Sequence, residues 1–99
     1  MKVVLTTEAR TDLERIADHI AQNDPVRARS FVGELLAKAR EIGETPRGFP
    51  LVPRFAHLQI RRRAYRSYLI FFRVEETQVV IVHILHGARD YEALLFPDD

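Results

Sequence analysis

The hydrophobic rhythm of the chain changes near its middle and divides it into a helical half and a stranded half. Lys2 to Leu5 is a short β-prone run. Apolar residues then recur at Ala9, Leu13, Ile16, Ala17 and Ile20, a stripe at helical spacing with charges between its members. The stripe predicts a helix over about residues 7 to 22. Thr6 or Thr7 would cap it by accepting an orphan N–H, and Glu8 suits the positive first turn. Asn23-Asp24-Pro25 stops this helix and starts the next, with Asp24 as cap and Pro25 at the first helical position, where no N–H is needed. Ala28, Phe31, Val32, Leu35, Leu36, Ala39 and Ile42 form a second, wider stripe, with Gly43 as its left-handed terminator. The two helices are expected to form an antiparallel hairpin.

The stretch from 43 to 54 holds Gly43, Pro46, Gly48, Pro50 and Pro53 and reads as a rigid loop carrying Phe49, Leu51 and Val52. Leu58 to Ala64 then alternates weakly, Tyr65 to Val74 is nearly continuous in β-branched and aromatic residues, and Val79 to Leu85 is continuous. Glu75-Glu76-Thr77 reads as a hairpin turn between the last two. Three sequential antiparallel strands follow. The order βααβββ predicts an α+β fold of two layers, an antiparallel sheet packed against an N-terminal helical hairpin, in a single domain over residues 1–99.

Strict alternation puts Tyr68, Ile70, Phe72 and Val74 on one face of the middle strand, and Leu69, Phe71 and Arg73 on the other. In the last strand it separates Val80, Val82 and Ile84 from Val79, Ile81, His83 and Leu85. Both faces are therefore apolar. Two helices cover one side of a small sheet, so the other side needs the segment Tyr91 to Phe96, a second copy or a dedicated protein partner.

Composition sets limits on chemistry. With 99 residues, 46% hydrophobic and 29% charged, the chain has the size of one small domain, and its site is expected to be a surface or groove. The chain holds no Cys, so disulfides and thiolate chemistry are excluded, in keeping with a reducing cytoplasm. No signal peptide and no membrane-spanning run are read, and a cytoplasmic protein is expected.

The net charge of +1 hides an uneven distribution. Residues 47 to 74 contain seven Arg and no acid: Arg47, Arg54, Arg61, Arg62, Arg63, Arg66 and Arg73. Such a block attracts anionic surfaces, and arginine favours bidentate contacts to phosphate or carboxylate, although a codon preference for arginine also raises its frequency. His83 and His86 stand an odd number of strand residues apart and so are expected on opposite faces, which argues against a metal site. Ser30 and Ser67 lack a nucleophile elbow, and Gly33, Gly43, Gly48 and Gly87 form no phosphate-cradling loop. No metal or cofactor is expected. The remaining combination is Arg61 to Arg63, Arg66, Arg73 and Arg89 interleaved with Tyr65, Tyr68 and Tyr91, which suits a phosphodiester backbone and a stacked base.

Four stretches together resemble a known family. They are Ala9-x-x-Asp12-Leu13-x-x-Ile16-x-x-x-Ile20-Ala21, Asp24-Pro25-x-x-Ala28-x-x-Phe31, Arg66-Ser67-Tyr68-Leu69-Ile70-Phe71-Phe72-Arg73-Val74 and Ile84-Leu85-His86-Gly87-Ala88-Arg89-Asp90. They look like the ParE branch of the RelE/ParE toxin superfamily, and they span nearly the whole chain. The resemblance implies the same βααβββ order. It also implies the toxin of a plasmid or chromosomal toxin–antitoxin module, one that blocks DNA gyrase and is neutralised by a ParD-like antitoxin wrapped over it. On that basis Arg61, Arg63, Arg73, Arg89 and Tyr91 are expected to contact gyrase, or DNA through gyrase. Leu36, Phe71 and Ile81 are expected to meet the antitoxin.

The neighbouring RelE branch, ribosome-dependent mRNA endonucleases, implies an alternative function. Those enzymes resemble one another in using Lys, Arg and a late Tyr to stabilise the reacting phosphate and move a proton. Here Arg89 matches the late Arg, but Leu95 stands near the expected Tyr, Tyr91 comes too early, and no Lys follows Lys38. Arginine stays protonated and is a poor general base. The resemblance therefore favours an inhibitor that works by binding over an enzyme.

Overall fold

A computed structural model describes residues 1–95 of the chain. Its elements run β1 (Lys2–Leu5), α1 (Thr7–Ala21), α2 (Pro25–Glu41), β2 (Arg61–Tyr65), β3 (Tyr68–Val74), β4 (Gln78–His86) and α3 (Tyr91–Leu95). Both long helices start where the sequence expects. Thr6 Oγ1 accepts the Ala9 amide at 3.0 Å, and Asp24 Oδ1 accepts the Arg27 amide at 3.0 Å with Pro25 in the first turn.

Gly43 departs from its expected role. It does not adopt a left-handed conformation but lies in a short 3-10 turn, Ile42–Glu44, that continues from α2. Its lack of a side chain serves a close approach instead: a Cβ there would sit 2.3 Å from the Met1 carbonyl oxygen. The N-terminal ammonium donates to the Gly43 carbonyl at 2.8 Å, so the chain start is fastened to the end of α2.

The strands form one sheet in the order β1-β4-β3-β2. The meander β2–β3–β4 is antiparallel as expected, whereas β1 lies parallel to β4, from Lys2 opposite Gln78 to Leu5 opposite Ile81. The sheet is thus mixed. The helical hairpin carries the chain across one face before the meander begins, and β4 returns between β1 and β3. β2 also starts later than the weak alternation indicated. Pro53–Leu58 forms a 3-10 turn that ends at Gln59, whose left-handed backbone (φ 60°) sends its N–H back to the Ala56 carbonyl at 2.9 Å. The run from Tyr65 to Val74 is not one strand either. It is broken by a two-residue turn at Arg66 and Ser67, and Arg66 is left-handed (φ 55°).

Strict alternation fails in β4. Phe71 pairs with His83 and Phe72 with Ile81, so Val82 is an extra residue that reverses the facing of everything after it. Ile81 and Ile84 consequently both enter the core against the helices, with Ile70, Phe72 and Val79. Val82 and Leu85 turn to the other face with Phe71. That second face is not left open. Val52, Phe55 and Ile60 of the connecting segment and Leu95 of α3 pack over it, with Tyr91 alongside. Of the expected cover Tyr91 to Phe96, Phe96 lies outside the described residues. No described helix is long and apolar enough to cross a membrane.

Candidate functional site

The arginine block divides by strand parity. Arg61, Arg63 and Tyr65 point toward the helices, and Arg62 points away. Arg61 Nη1 donates to the Phe49 carbonyl at 2.7 Å. Arg63 Nη1 donates to the Lys38 carbonyl at 2.9 Å, near the C-terminal end of α2 where carbonyls carry partial negative charge, and it pairs with Glu41 at 3.1 Å. Its guanidinium also lies over the Phe49 ring, 5.2 Å from the centroid. Arg62 donates to the Tyr91 hydroxyl at 3.2 Å, and the Tyr91 ring packs against Phe71 with centroids 5.1 Å apart. Arg73 pairs with Glu75 at 3.2 Å. Hydrogen bonds from Gln78 and then Arg73 hold the Glu75 carboxyl below the usual carboxylate range.

The five residues expected to meet gyrase therefore do not converge. Arg61 and Arg63 fasten the loop and α2 to the sheet edge. Arg73 lies opposite Val80, at the end of the β3–β4 pair far from Arg89, which follows His86. Arg89 is exposed, and Tyr91, the first residue of α3, is half-buried against Phe71 and Arg62. Of the residues expected to meet the antitoxin, Leu36 is half-buried on α2, but Phe71 and Ile81 are both 0% exposed. Nothing reaches those two unless α3, the connecting segment or the helices are displaced.

What the structure brings together instead is a cleft at the Tyr68–His86 end of the sheet. One lobe, about 360 Å³, lies between α1 and the end of β4, with Ile16, Tyr68 and Ile84 in its apolar wall and Arg15, His86 and Arg89 at its polar positions. An adjoining lobe of about 380 Å³ reaches the start of α2 and the β2–β3 turn, where Ile20 and Phe31 face Arg27, Arg66 and Ser67. The lobes share His19, Tyr68 and His86.

Electrostatically the cleft is cationic, because its lining holds Arg15, Arg27, Arg66 and Arg89 against Asp12, and the neighbouring carboxylates already have hydrogen-bond partners. Asp12 is 5% exposed; its Oδ2 accepts the Ile84 amide at 2.9 Å and lies 2.7 Å from His83 Nδ1. Glu34 accepts both the Arg27 guanidinium and the Tyr65 hydroxyl. These two bonds, Arg27 first, hold the Glu34 carboxyl below its ordinary range and raise the Arg27 guanidinium. Burial pushes the Tyr68 phenol up, so it stays protonated at neutral pH. Arg15 and Arg89 form no ion pair among the described residues. Their charge is available to a ligand.

Local bonding explains how the cleft is held. β1 ends at Leu5, so beyond Ile81 the β4 backbone has no strand on that side. The Thr6 hydroxyl donates to the Val82 carbonyl at 3.0 Å and Asp12 takes the Ile84 amide, so α1 continues the pairing that β1 abandons. The Ala88 amide donates to His86 Nδ1 at 3.0 Å, which places the proton of the neutral ring on Nε2. Tyr68 meets the His86 ring edge-on at 5.2 Å and Phe31 at 5.5 Å. His83 and His86 thus engage different partners, and among the described residues no three metal-ligating side chains cluster.

Sequence reasoning included Arg66, Arg89 and Tyr68 among candidates but assigned no role in a binding site to Arg15, His19, Arg27 or Asp12. The signal for Asp12 was present, since a carboxylate three residues after Ala9 and four before Ile16 sits on the buried stripe.

The family described as the ParE toxin of type II toxin–antitoxin systems, parDE, matches residues 3–91. Among solved structures, the chain is similar to one from a chromosomal ParDE toxin–antitoxin system of P. aeruginosa, with a TM-score of 0.73 at 20% identity over 87% of this chain and 95% of that one. It is also similar to one from the RelBE2 toxin–antitoxin complex of Mycobacterium tuberculosis, with a TM-score of 0.63 at 22% identity over 86% of this chain and 95% of that one. No curated relative matches the sequence. These structural likenesses confirm the α+β fold, and the family match over most of the chain decides membership: the chain belongs to the ParE toxin family of type II toxin–antitoxin systems.

Proposed function

We propose that this ParE-family toxin acts by binding and inhibiting DNA gyrase, and that a ParD-like antitoxin neutralises it. The observation that carries this reading is the family match across residues 3–91. Both similar structures come from toxin–antitoxin systems, which supports an antitoxin as partner. Within this reading the target-facing residues are chosen by their accessibility. Arg61 and Arg63 are engaged within the chain, so the target-facing charge passes to exposed Arg89 and the cleft beside it, with Arg73 and Tyr91 as peripheral contacts. For the antitoxin, half-buried Leu36 on α2 is the accessible contact, and Phe71 and Ile81 become contacts only if α3 or the helical hairpin moves.

One feature supports the RelE-like alternative. His86 and His19 lie in the same cleft as Arg89 and supply imidazoles, the side chain most used for proton transfer, beside it. A single comparison separates the readings. Purified toxin is added to gyrase with supercoiled or relaxed DNA, and separately to a translating ribosome system with labelled message. Gyrase inhibition is expected in the first. Arg89→Glu should reduce it by at least about tenfold, the scale of one charge-assisted contact. Unaltered supercoiling together with message cleavage overturns the gyrase reading in favour of the nuclease.

A further inference from the structure

The two lobes of the cleft differ in chemistry and meet at one aromatic side chain. The α1 lobe brings together Arg15 and Arg89, both without an ion pair among the described residues, and the His86 ring, whose neutral form carries its proton on Nε2. Three donors of this kind around a small volume suit a tetrahedral oxyanion, which arginine grips with two parallel N–H groups. Asp12 sits at the same lobe, but its Oδ2 is committed to the Ile84 amide and His83, and the two guanidinium charges outnumber its one. The α2 lobe is lined by flat groups: half-buried Tyr68 and the Arg27 guanidinium, which lies 5.1 Å over the buried Phe31 ring. Such surfaces favour a planar heterocycle over an aliphatic side chain.

We propose that this cleft is a binding site for a nucleoside phosphate, with the phosphate held by Arg15, Arg89 and the His86 Nε2–H and the base laid on Tyr68 beside the Arg27 guanidinium. Volumes of about 360 and 380 Å³ for the two lobes lie within the range of small-ligand clefts, roughly 300–1,000 Å³. The pairing of an anion lobe with a stacking lobe, both sharing Tyr68, is what selects a nucleotide over a simple anion. An acidic peptide would satisfy the arginines but leave the flat lobe poorly filled. The inference rests on the geometry of the cleft and is independent of whether the toxin's target is gyrase or message.

The test uses the full chain and neither gyrase nor ribosomes, so its failure is distinct from failure of the functional reading. AMP, adenosine, inorganic phosphate and a short poly-aspartate peptide are titrated by calorimetry, and the 15N-labelled Ala88 amide, which donates to His86 Nδ1, is followed by NMR. AMP should bind saturably, at least about tenfold tighter than phosphate or adenosine alone, and should move the Ala88 resonance. Arg15→Gln and Arg89→Gln should each weaken AMP about tenfold while leaving adenosine unchanged. Tyr68→Leu should bring AMP down to the level of phosphate. Tyr68 packs on Phe31, so a melting curve accompanies that variant, and if it does not fold the two arginine variants decide the matter alone. The proposal is overturned if AMP binds no tighter than phosphate, if poly-aspartate binds tighter than AMP, or if both arginine variants bind AMP like the parent.

Discussion

At the scale of the residue, Asp12 does the most unusual work. It is a carboxylate inside an apolar stripe, and burying it is tolerable only because its Oδ2 meets two groups of β4, the Ile84 amide and the His83 ring. Those groups need it equally, since β1 ends before reaching them. Asp12→Ala should leave the Ile84 amide unpaired and cost about 1–3 kcal/mol. For a domain of this size that lowers the melting temperature by roughly 4 °C or more. Asp12→Asn, which retains an acceptor, should recover part of the loss; a melting curve for Asp12→Ala matching the parent would show that the bond contributes nothing. A polar residue at a stripe position was legible as an anomaly. Its partner was not, because His83 and Ile84 lie more than seventy residues away and reach it only through the extra residue Val82.

At the scale of the element, the helices were legible because their signals are local. Thr6, Asp24 and Pro25 cap the helices they adjoin, and the stripes fix which face is buried. Strand boundaries were less legible because an apolar run does not reveal where it turns. Arg66-Ser67 interrupts such a run with no Gly or Asn, and only the pairing of Tyr65 with Tyr68 discloses the turn. The bulge in β4 is invisible for the same reason: Val82 looks like its neighbours, yet it decides that Ile84 faces the helices. Gly43 was noticed, but for a conformation it does not adopt. Since the constraint is the Met1 carbonyl 2.3 Å from a would-be Cβ, Gly43→Ala and Gly43→Asn should destabilise alike, by roughly 1–3 kcal/mol, in chemical denaturation. Were a left-handed backbone the reason, Asn would be much better tolerated than Ala.

At the scale of the whole molecule, both faces of a four-stranded sheet are covered from within one short chain, and the layers are tied by bonds that repeatedly end on carboxylates. Asp12 ties α1 to β4, Glu34 ties α2 to Tyr65 of β2, Glu41 ties α2 to Arg63, and Glu92 ties α3 to Arg54 at 3.2 Å. This arrangement also explains why the candidate cleft was only half legible: its cations come from four separate stretches, and its charge depends on which acids are already engaged. The same arrangement dictates an acid response. Arg27 and then Tyr65 hold the Glu34 carboxyl below its ordinary range, as Gln78 and then Arg73 hold Glu75. In each case the unfolded chain takes up the proton first as pH falls, so it binds more protons than the folded chain and folding stability declines. The contribution is complete at neutral pH and is lost as pH drops through and below about 4.3, the unperturbed glutamate value. The contribution of these two carboxylates to stability, measured by urea denaturation, should therefore hold from pH 7 to about 5.5 and decline toward pH 3. Glu34→Gln should lower stability at pH 7 and flatten that fall, so the two proteins converge in acid. Parallel curves, offset by the same amount at both ends, would mean that the Glu34 contribution comes from packing and not from its charge.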